Sequence, residues 1–258
     1  MSLKSLETAV GVLSTFSKSN TTRSVTEIVE ETGLKKSHVS KILKTFREAG
    51  LLEQDPVTMR YAVGMGMFVL GSRFAARQVM AREALPIMRQ LVEDTNHSVT
   101  LSVIYETSIM HLMAVEGPLY IDGRWRVGAL LPIHATAAGK VLLSGMTAPV
   151  REDLLARAGL RALTPLTITD PAILSAQLLE ISKTGFALTR GESAPGLSAI
   201  SVPIFAENSK MVSALSTIMP DQLFDMEKIM LVKEQMFTAA RSLSLKLGAP
   251  TYPFGGMV

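Results

Sequence analysis

At Ser98 the spacing of apolar residues changes, and that change requires two kinds of structure in one chain. Before it, apolar side chains recur every three or four residues, the period of helices with one buried face; after it, runs rich in Val, Ile and Leu carry the short, extended character of strands. The 258 residues are 47% hydrophobic and 19% charged, enough apolar material for more than one core, and wholesale disorder is excluded. With no cysteine, a disulfide scaffold, a thiolate zinc finger and a cysteine nucleophile are excluded as well. Lys4 and Glu7 interrupt the first apolar stretch, so it does not read as a signal peptide. No run approaches the roughly 18 to 20 apolar residues of a spanning helix. The expectation is a soluble, cytoplasmic protein with no membrane partner.

Charge is distributed unevenly. The first 75 residues hold 10 Lys and Arg against 7 Asp and Glu, whereas the remaining 183 balance at 16 each. The whole net charge of +3 therefore sits in the first part of the chain. Within it Lys35, Lys36, Lys41, Lys44 and Arg47 form a basic segment about one helix long with no intervening acid.

The pattern around that segment gives it a context. Leu6, Val10, Leu13 and Phe16 share a helical face, so residues 3–18 read as an amphipathic helix, followed by a polar loop over 17–23. Ser24 and Glu27 have the spacing of a capping box, which starts a second helix at Val25. Gly33 suits a left-handed helix end, and Ser37 is the expected cap of a third helix with Val39, Ile42, Leu43 and Phe46 inward and Gly50 at its close. Two helices joined by a short Gly-containing turn are a helix-turn-helix pattern. Residues 51–54 and 60–63 flank a turn and read as a hairpin, or wing. Rotating the third helix at 3.6 residues per turn puts Ser37, Lys41 and Lys44 on the face away from the core, flanked by His38, Ser40 and Thr45. Short hydroxyls and long cations in a row suit the major groove of double-stranded DNA, Lys donating to guanine or phosphate and Ser and His reaching base edges. Lys36 lies at the start of this surface, Arg60 is the cation of the wing, and the amides near Ser24 and Thr26 suit a phosphate.

Residues 64–80 are apolar around nearly their whole circumference, from Met65, Phe68 and Leu70 to Phe74 and Met80. Such a helix packs either against its counterpart in a second chain or inside the C-terminal domain. The first alternative gives residues 1–63 as a DNA-binding domain, 64–80 as a linker and dimerisation helix, and 81–258 as a third region. That region opens with an amphipathic helix over 82–95. A hairpin follows over 98–105 and 109–115, then strands near 128–133, 186–190, 199–205 and 212–219 and helices over 135–143, 149–158, 171–184 and 221–247. Strand pairs mixed with helices, without strict βαβ alternation, argue for an α+β fold on an antiparallel sheet.

Catalytic chemistry is sparse. Gly64-Met-Gly66 lacks the third glycine of a dinucleotide loop, and neither a P-loop nor a nucleophile elbow is present. His38, His97, His111 and His134 show no metal-like pairing, and the carboxylates are scattered singly. No cofactor, metal or catalytic residue is expected. The stretch Pro132-Ile-His-Ala-Thr-Ala-Ala-Gly-Lys140 stands apart: its small residues fit either close helix-on-sheet packing or the approach of a polar ligand to helix-start amides.

Four blocks in order carry a resemblance: Gly33-Leu-Lys-Lys-Ser-His-Val39 through Glu48-Ala-Gly-Leu-Leu52, Arg60-Tyr-Ala-Val-Gly64, residues 132–140, and Gly185-Phe-Ala187 followed by Glu192 and 196–203. Over essentially its whole length the chain resembles the IclR family of bacterial transcriptional regulators. The resemblance implies a winged helix-turn-helix, a dimerising linker helix and a GAF-like α/β effector domain that binds small organic metabolites, commonly acids. It also implies homodimers that pair into homotetramers on operator DNA, acting as repressor or activator. It assigns Ala137 and Ala138, with Thr189, Ala199, Ser216 and Ile218, to the effector pocket. Thr189 and Ala199 stand where some members carry an acid and a cysteine. The leading reading is a metabolite-controlled transcriptional regulator and not an enzyme. The alternatives are a DNA-tethered enzyme acting on the small molecule, and an architectural DNA protein with no ligand.

Overall fold

The computed structural model describes residues 3–17, 22–118, 127–223 and 225–255. They fall into two compact units, Met1–Gln78 and Val79–Val258.

The first unit opens with α1 (Lys4–Ser14), which ends in a 3-10 turn over Thr15–Ser17. β1 (Thr22–Arg23), α2 (Val25–Thr32), α3 (Lys36–Glu48), β2 (Leu52–Gln54), β3 (Tyr61–Val63) and α4 (Met65–Arg77) follow. Of the polar loop expected over 17–23, residues 18–21 lie outside the described residues, and Thr22 and Arg23 add a strand to the wing in the antiparallel order β1-β3-β2. Both halves of the capping box form: the Ser24 hydroxyl accepts from the Glu27 amide at 3.2 Å, and the Glu27 carboxylate accepts from the Ser24 amide at 2.9 Å. Gly33 closes α2 at φ 68°, as its left-handed role requires.

Several local expectations change. Ser37 is not the cap of α3; Lys35 takes that position without a side-chain bond and Ser37 lies within the first turn, because the turn after Gly33 is two residues tighter than the hydroxyl pattern implied. On α1, Leu6 and Val10 face outward with Leu3, and Val12 is the buried residue. The core formed by Val12, Phe16, Ile28, Val39, Ile42, Leu43, Leu52 and Tyr61 fits one side of α1 only, and Phe46 is half-buried at its margin. The two glycines of Gly64-Met-Gly66 permit a close backbone approach: a Cβ at either would come within 2.7 Å or less of the Gly50 carbonyl oxygen. Among its described residues α4 has no buried side chain, and Met65, Phe68, Val69, Leu70 and Phe74 are each more than half exposed. It stops at Arg77, where Gln78 leaves the helical region with ψ 95°, so Val79 and Met80 belong to the following helix.

The second unit runs α5 (Val79–Thr95), β4 (Ser98–Tyr105), β5 (Ser108–Val115), β6 (Leu130–Pro132), α6 (Ala137–Ser144), α7 (Ala148–Ala158), α8 (Pro171–Thr184), β7 (Ala187–Arg190), β8 (Leu197–Phe205), β9 (Met211–Pro220) and α9 (Met226–Lys246). Its six strands pair antiparallel in the order β6-β5-β4-β9-β8-β7, the α+β architecture expected from the strand pairs. α5 and α9 cover one face through Met88, Leu91, Met236 and Phe237 against Val99, Leu101, Ile200, Val202 and Leu215. α6 covers the other, with α8 beyond it, over Ile109, Ala187 and Ala214. The central strands are thus buried on both sides, and hydroxyl-bearing residues that alternate with Val and Leu lie inside the protein.

Candidate functional site

Two surfaces carry the residues singled out from the sequence, one in each unit. On α3, Lys36, Ser37, His38, Lys41, Lys44 and Thr45 are exposed and Ser40 is half-buried, opposite the buried Val39, Ile42 and Leu43. The helix is held from behind by apolar packing, which leaves its cations to project. Lys44 meets Glu48 at 3.7 Å with both side chains over 60% exposed, a weak pair that a phosphate can displace. Thr45 donates its hydroxyl to the Lys41 carbonyl at 3.0 Å, so its methyl is the group left for a base. Thr26 is exposed at the start of α2, whereas the Ser24 hydroxyl is already committed to the cap.

Arg60 has a different setting from the wing cation expected. Its guanidinium donates to both Glu27 carboxylate oxygens at 2.9 Å and to the Thr22 hydroxyl and carbonyl at 3.0 Å. It therefore ties the wing to α2, and the exposed tip of the wing is Val57 and Met59. The amide of Ser24, followed by Arg60, holds the Glu27 carboxyl below the usual carboxylate range. Arg23, which the sequence reading passed over, is buried, donates to the Thr15 carbonyl at 3.1 Å and pairs with Glu31. Both ion pairs hold α2 at a fixed angle to the strands, and α2 supports α3 through Ile28.

In the second unit, strand register gathers the expected pocket residues. Thr189 of β7 faces Ala199 of β8, which faces Ile218 of β9. The next row is Ala187, Ser201, Ser216 and Thr100, and the one after it Pro203, Ala214, Ser102 and His111. Since directly opposed residues share a side of the sheet, all of these lie on the α6 face. Ala137 and Ala138, at the first turn of α6, are buried against the same layer. The six residues are thus brought together, Ala199 half-buried and the others at most 3% exposed.

The block at 132–140 positions that turn. The Thr136 hydroxyl caps α6 by accepting from the Gly139 amide at 3.0 Å. Gly139 has to be glycine, because a Cβ there would lie 1.8 Å from the Ile133 carbonyl oxygen. Lys140 is fully buried and donates to both carboxylate oxygens of Glu192 at 2.7 Å and to the Gln177 side-chain oxygen at 2.7 Å. Burial depresses the lysine's pKa and the attraction of Glu192 opposes that shift. Glu192 sits in the loop between β7 and β8, where Thr164 and Thr167 bind the carbonyls of Gly191 and Glu192 at 2.7 Å each. The pair therefore fixes α6 to the loop that joins Thr189 and Ala199.

Four polar residues of this face were not read from the sequence: Thr100, Ser102, His111 and Ser201. Ser102 and His111 Nδ1 are 2.8 Å apart, and Ser216 donates to Ser201 at 2.9 Å. Burial lowers the His111 pKa to about 4, so the ring is neutral at pH 7. The Thr100 hydroxyl is buried and has no hydrogen-bond partner among the described residues. Such a group is expensive to leave unsatisfied, by about 1–3 kcal/mol, and a polar atom of a ligand removes that cost. The alternation of Ser98, Thr100 and Ser102 with Val99 and Leu101 was the available signal; it reads as a solvent face unless both sides of the strand are known to be covered. Among the described residues no cluster of three His, Cys, Asp or Glu is placed to hold a metal, and no helix is long and apolar enough to cross a membrane.

Known proteins resemble both units. Residues 5–56 match the IclR helix-turn-helix domain and residues 73–245 the C-terminal domain of the bacterial transcriptional regulator IclR. The HTH-type transcriptional regulator XynR of Escherichia coli (strain K12) is 27% identical over 248 residues, 96% of this chain and 98% of the relative. An IclR transcriptional regulator from Silicibacter sp. TM1040 has the same fold, with a TM-score of 0.84 and 24% identity over 96% of this chain and 98% of its own. An IclR homolog from Microbacterium hydrocarbonoxydans, complexed with 4-hydroxybenzoate, gives a TM-score of 0.81 and 25% identity over 95% and 99%. XynR is a transcriptional regulator, as is the transcriptional repressor IclR of Escherichia coli (strain K12), 27% identical over 256 residues, 95% of this chain and 90% of the relative, and the tethered-enzyme alternative finds no support among the relatives. With the DNA-binding and effector-binding domains matched in the same order over most of its length, the chain belongs to the IclR family of bacterial transcriptional regulators.

Proposed function

We propose that this regulator binds operator DNA through α3 as a cytoplasmic homodimer, pairing into a tetramer on DNA, and that a small carboxylic or aromatic acid bound between α6 and the sheet controls its affinity. The partnerless Thr100 hydroxyl, buried in a row of Ser102, His111, Ser201 and Ser216, carries the effector reading. With Lys140 neutralised by Glu192, the site has no free lysine for an anion. A carboxylate there would be received by the Ala137 and Ala138 amides at the positive end of α6, and a ring or hydroxyl substituent by Thr100, Ser102 and Ser216. The 4-hydroxybenzoate of the Microbacterium hydrocarbonoxydans relative combines these two groups, and makes simple aromatic acids the first compounds to screen.

Dimerisation is assigned to α4, whose Met65, Phe68, Val69, Leu70 and Phe74 are left exposed by its own unit, with the exposed Leu3 before α1 and Leu6 and Val10 on it as a second apolar strip. Effector binding changes the relation of the two α4 helices and with it the spacing of the two α3 helices on their half-sites. Coupling of this kind is worth about 1–3 kcal/mol and is reciprocal, so operator DNA alters effector affinity by the same factor.

The α3 assignment is tested by salt dependence. Lys41→Ala and Lys44→Ala are each expected to reduce the slope of log K against log salt by up to about 0.9, the loss of one phosphate contact. Slopes equal to that of the unaltered protein in both variants would remove α3 from the interface.

A further inference from the structure

The last turn of α6 borders a half-open cavity of about 240 Å³ that reaches Pro203 at the end of the sheet and includes none of the six residues assigned to the effector pocket. Val141 and Ser144 of α6 form one wall, Ile181 of α8 another, Phe205 and Met211 at the end of the sheet a third, and the C-terminal segment closes the remaining side with Phe254. That segment is tied down at three points. The Tyr252 hydroxyl donates to the Pro203 carbonyl at 3.0 Å, and the Arg241 guanidinium donates to the carbonyls of Phe254 and Gly255. The Phe254 ring lies directly over Gly185, where a Cβ would come within 2.1 Å of the ring carbon. The cavity is therefore a built feature with a fixed fourth wall.

Its lining selects by chemistry. None of its side chains is charged, and its only side-chain polar groups, the Ser144 and Ser182 hydroxyls, already donate at 2.7 Å to the carbonyls of Val141 and Leu179 in their own helices. A carboxylate or ammonium entering it would lose part of its hydration with no charged or free polar side chain in return. An apolar cavity of about 150 Å³ accepts benzene, and this one is larger. The Met211 thioether and the Phe254 ring add the two partners an aromatic ring prefers, a sulfur at its edge and a second ring. We propose that this cavity is a second small-molecule site that takes an uncharged monocyclic aromatic compound, distinct in place and in charge preference from the effector site.

Toluene and benzoate are the probes, and the methyl resonances of the full chain labelled with [methyl-13C]methionine are the readout, Met211 being assigned by Met211→Leu. Toluene is expected to shift the Met211 methyl saturably, while benzoate leaves it in place. Ser144→Phe fills the cavity from α6, and Ser182→Phe, on an exposed position of α8, fills it from its rim. Whichever of the two folds is expected to weaken toluene binding at least tenfold. A Met211 methyl unmoved at saturating toluene, a benzoate shift equal to the toluene shift, or unchanged toluene affinity in the folded variants would overturn the proposal. None of these outcomes depends on which acid occupies the other end of α6.

Discussion

Replacing Lys140 by Met is expected to destabilise the second unit by about 3–5 kcal/mol, among the largest effects of any single substitution in the chain. The ammonium is fully buried and donates to Glu192 and Gln177, so its removal leaves a carboxylate with little solvent and no counter-ion. The lost contact is the smaller part of the cost; the stranded charge is the larger. The double variant Lys140→Met/Glu192→Leu removes both charges and is therefore expected to recover most of the stability, in spite of carrying one more change. Denaturant unfolding of the two variants and the parent measures this directly. A double variant no more stable than Lys140→Met alone would mean that the hydrogen bonds, and not the uncompensated charge, hold α6 to the loop between β7 and β8. Because that loop joins the strands carrying Thr189 and Ala199, effector affinity is expected to fall with Lys140→Met beyond what the loss of folded protein explains.

Acid is expected to weaken the second unit through His111. The ring is buried and neutral, with a pKa of about 4 in the folded chain against 6.5 when solvated. Above pH 6.5 both states are neutral and the residue contributes no pH dependence. Between 6.5 and 4 the unfolded chain binds a proton that the folded chain refuses, so stability falls with falling pH. At about 1.36 kcal/mol per pKa unit the loss approaches 3 kcal/mol at the lower end of that window. His97 and His134 are also held below the usual imidazole value by burial and act in the same direction. The comparison of His111→Gln with the parent cancels their contribution. The variant keeps a group able to bond Ser102 and is expected to lose about 3 kcal/mol less than the parent between pH 7 and 4. Identical pH profiles would place the acid sensitivity elsewhere.

What could be read from the sequence was decided locally. The capping box at Ser24 and Glu27, the left-handed Gly33 and the bounds of α8, with Pro171 at its start and Gly185 at its end, each depend on neighbouring residues, and all three stand as expected. Hairpin β4–β5 joins neighbouring strands and was equally legible. The features missed are those whose partners are distant in the chain. Arg60 reads as a free wing cation until Glu27, 33 residues away, is seen to hold it. Lys140 reads as the end of a small-residue block until Glu192, 52 residues on, appears beside it. Thr100 and Ser102 read as a solvent face because the sequence does not say that α6 will cover it. The outward turn of Leu6 and Val10 has the same origin, since an apolar stripe on a helix has no label for which side the domain will bury. The residues expected to line a pocket came from family resemblance; strand register puts Thr189, Ala199, Ser216 and Ile218 on one face of the sheet, and Ala137 and Ala138 are buried against it from α6.

The central claim is that α3 reads duplex DNA and that a small molecule in the second unit alters how tightly it does so. Fluorescence anisotropy of the full chain on its own promoter fragment at low ionic strength, with and without each of a series of small carboxylic and aromatic acids, tests both halves at once. The account predicts affinity for that fragment above affinity for random duplex of equal length, and a shift of about 5- to 150-fold with the cognate acid, the range of a 1–3 kcal/mol coupling. Equal affinity for both duplexes, unchanged by every acid and by extracts of cellular metabolites, would contradict it.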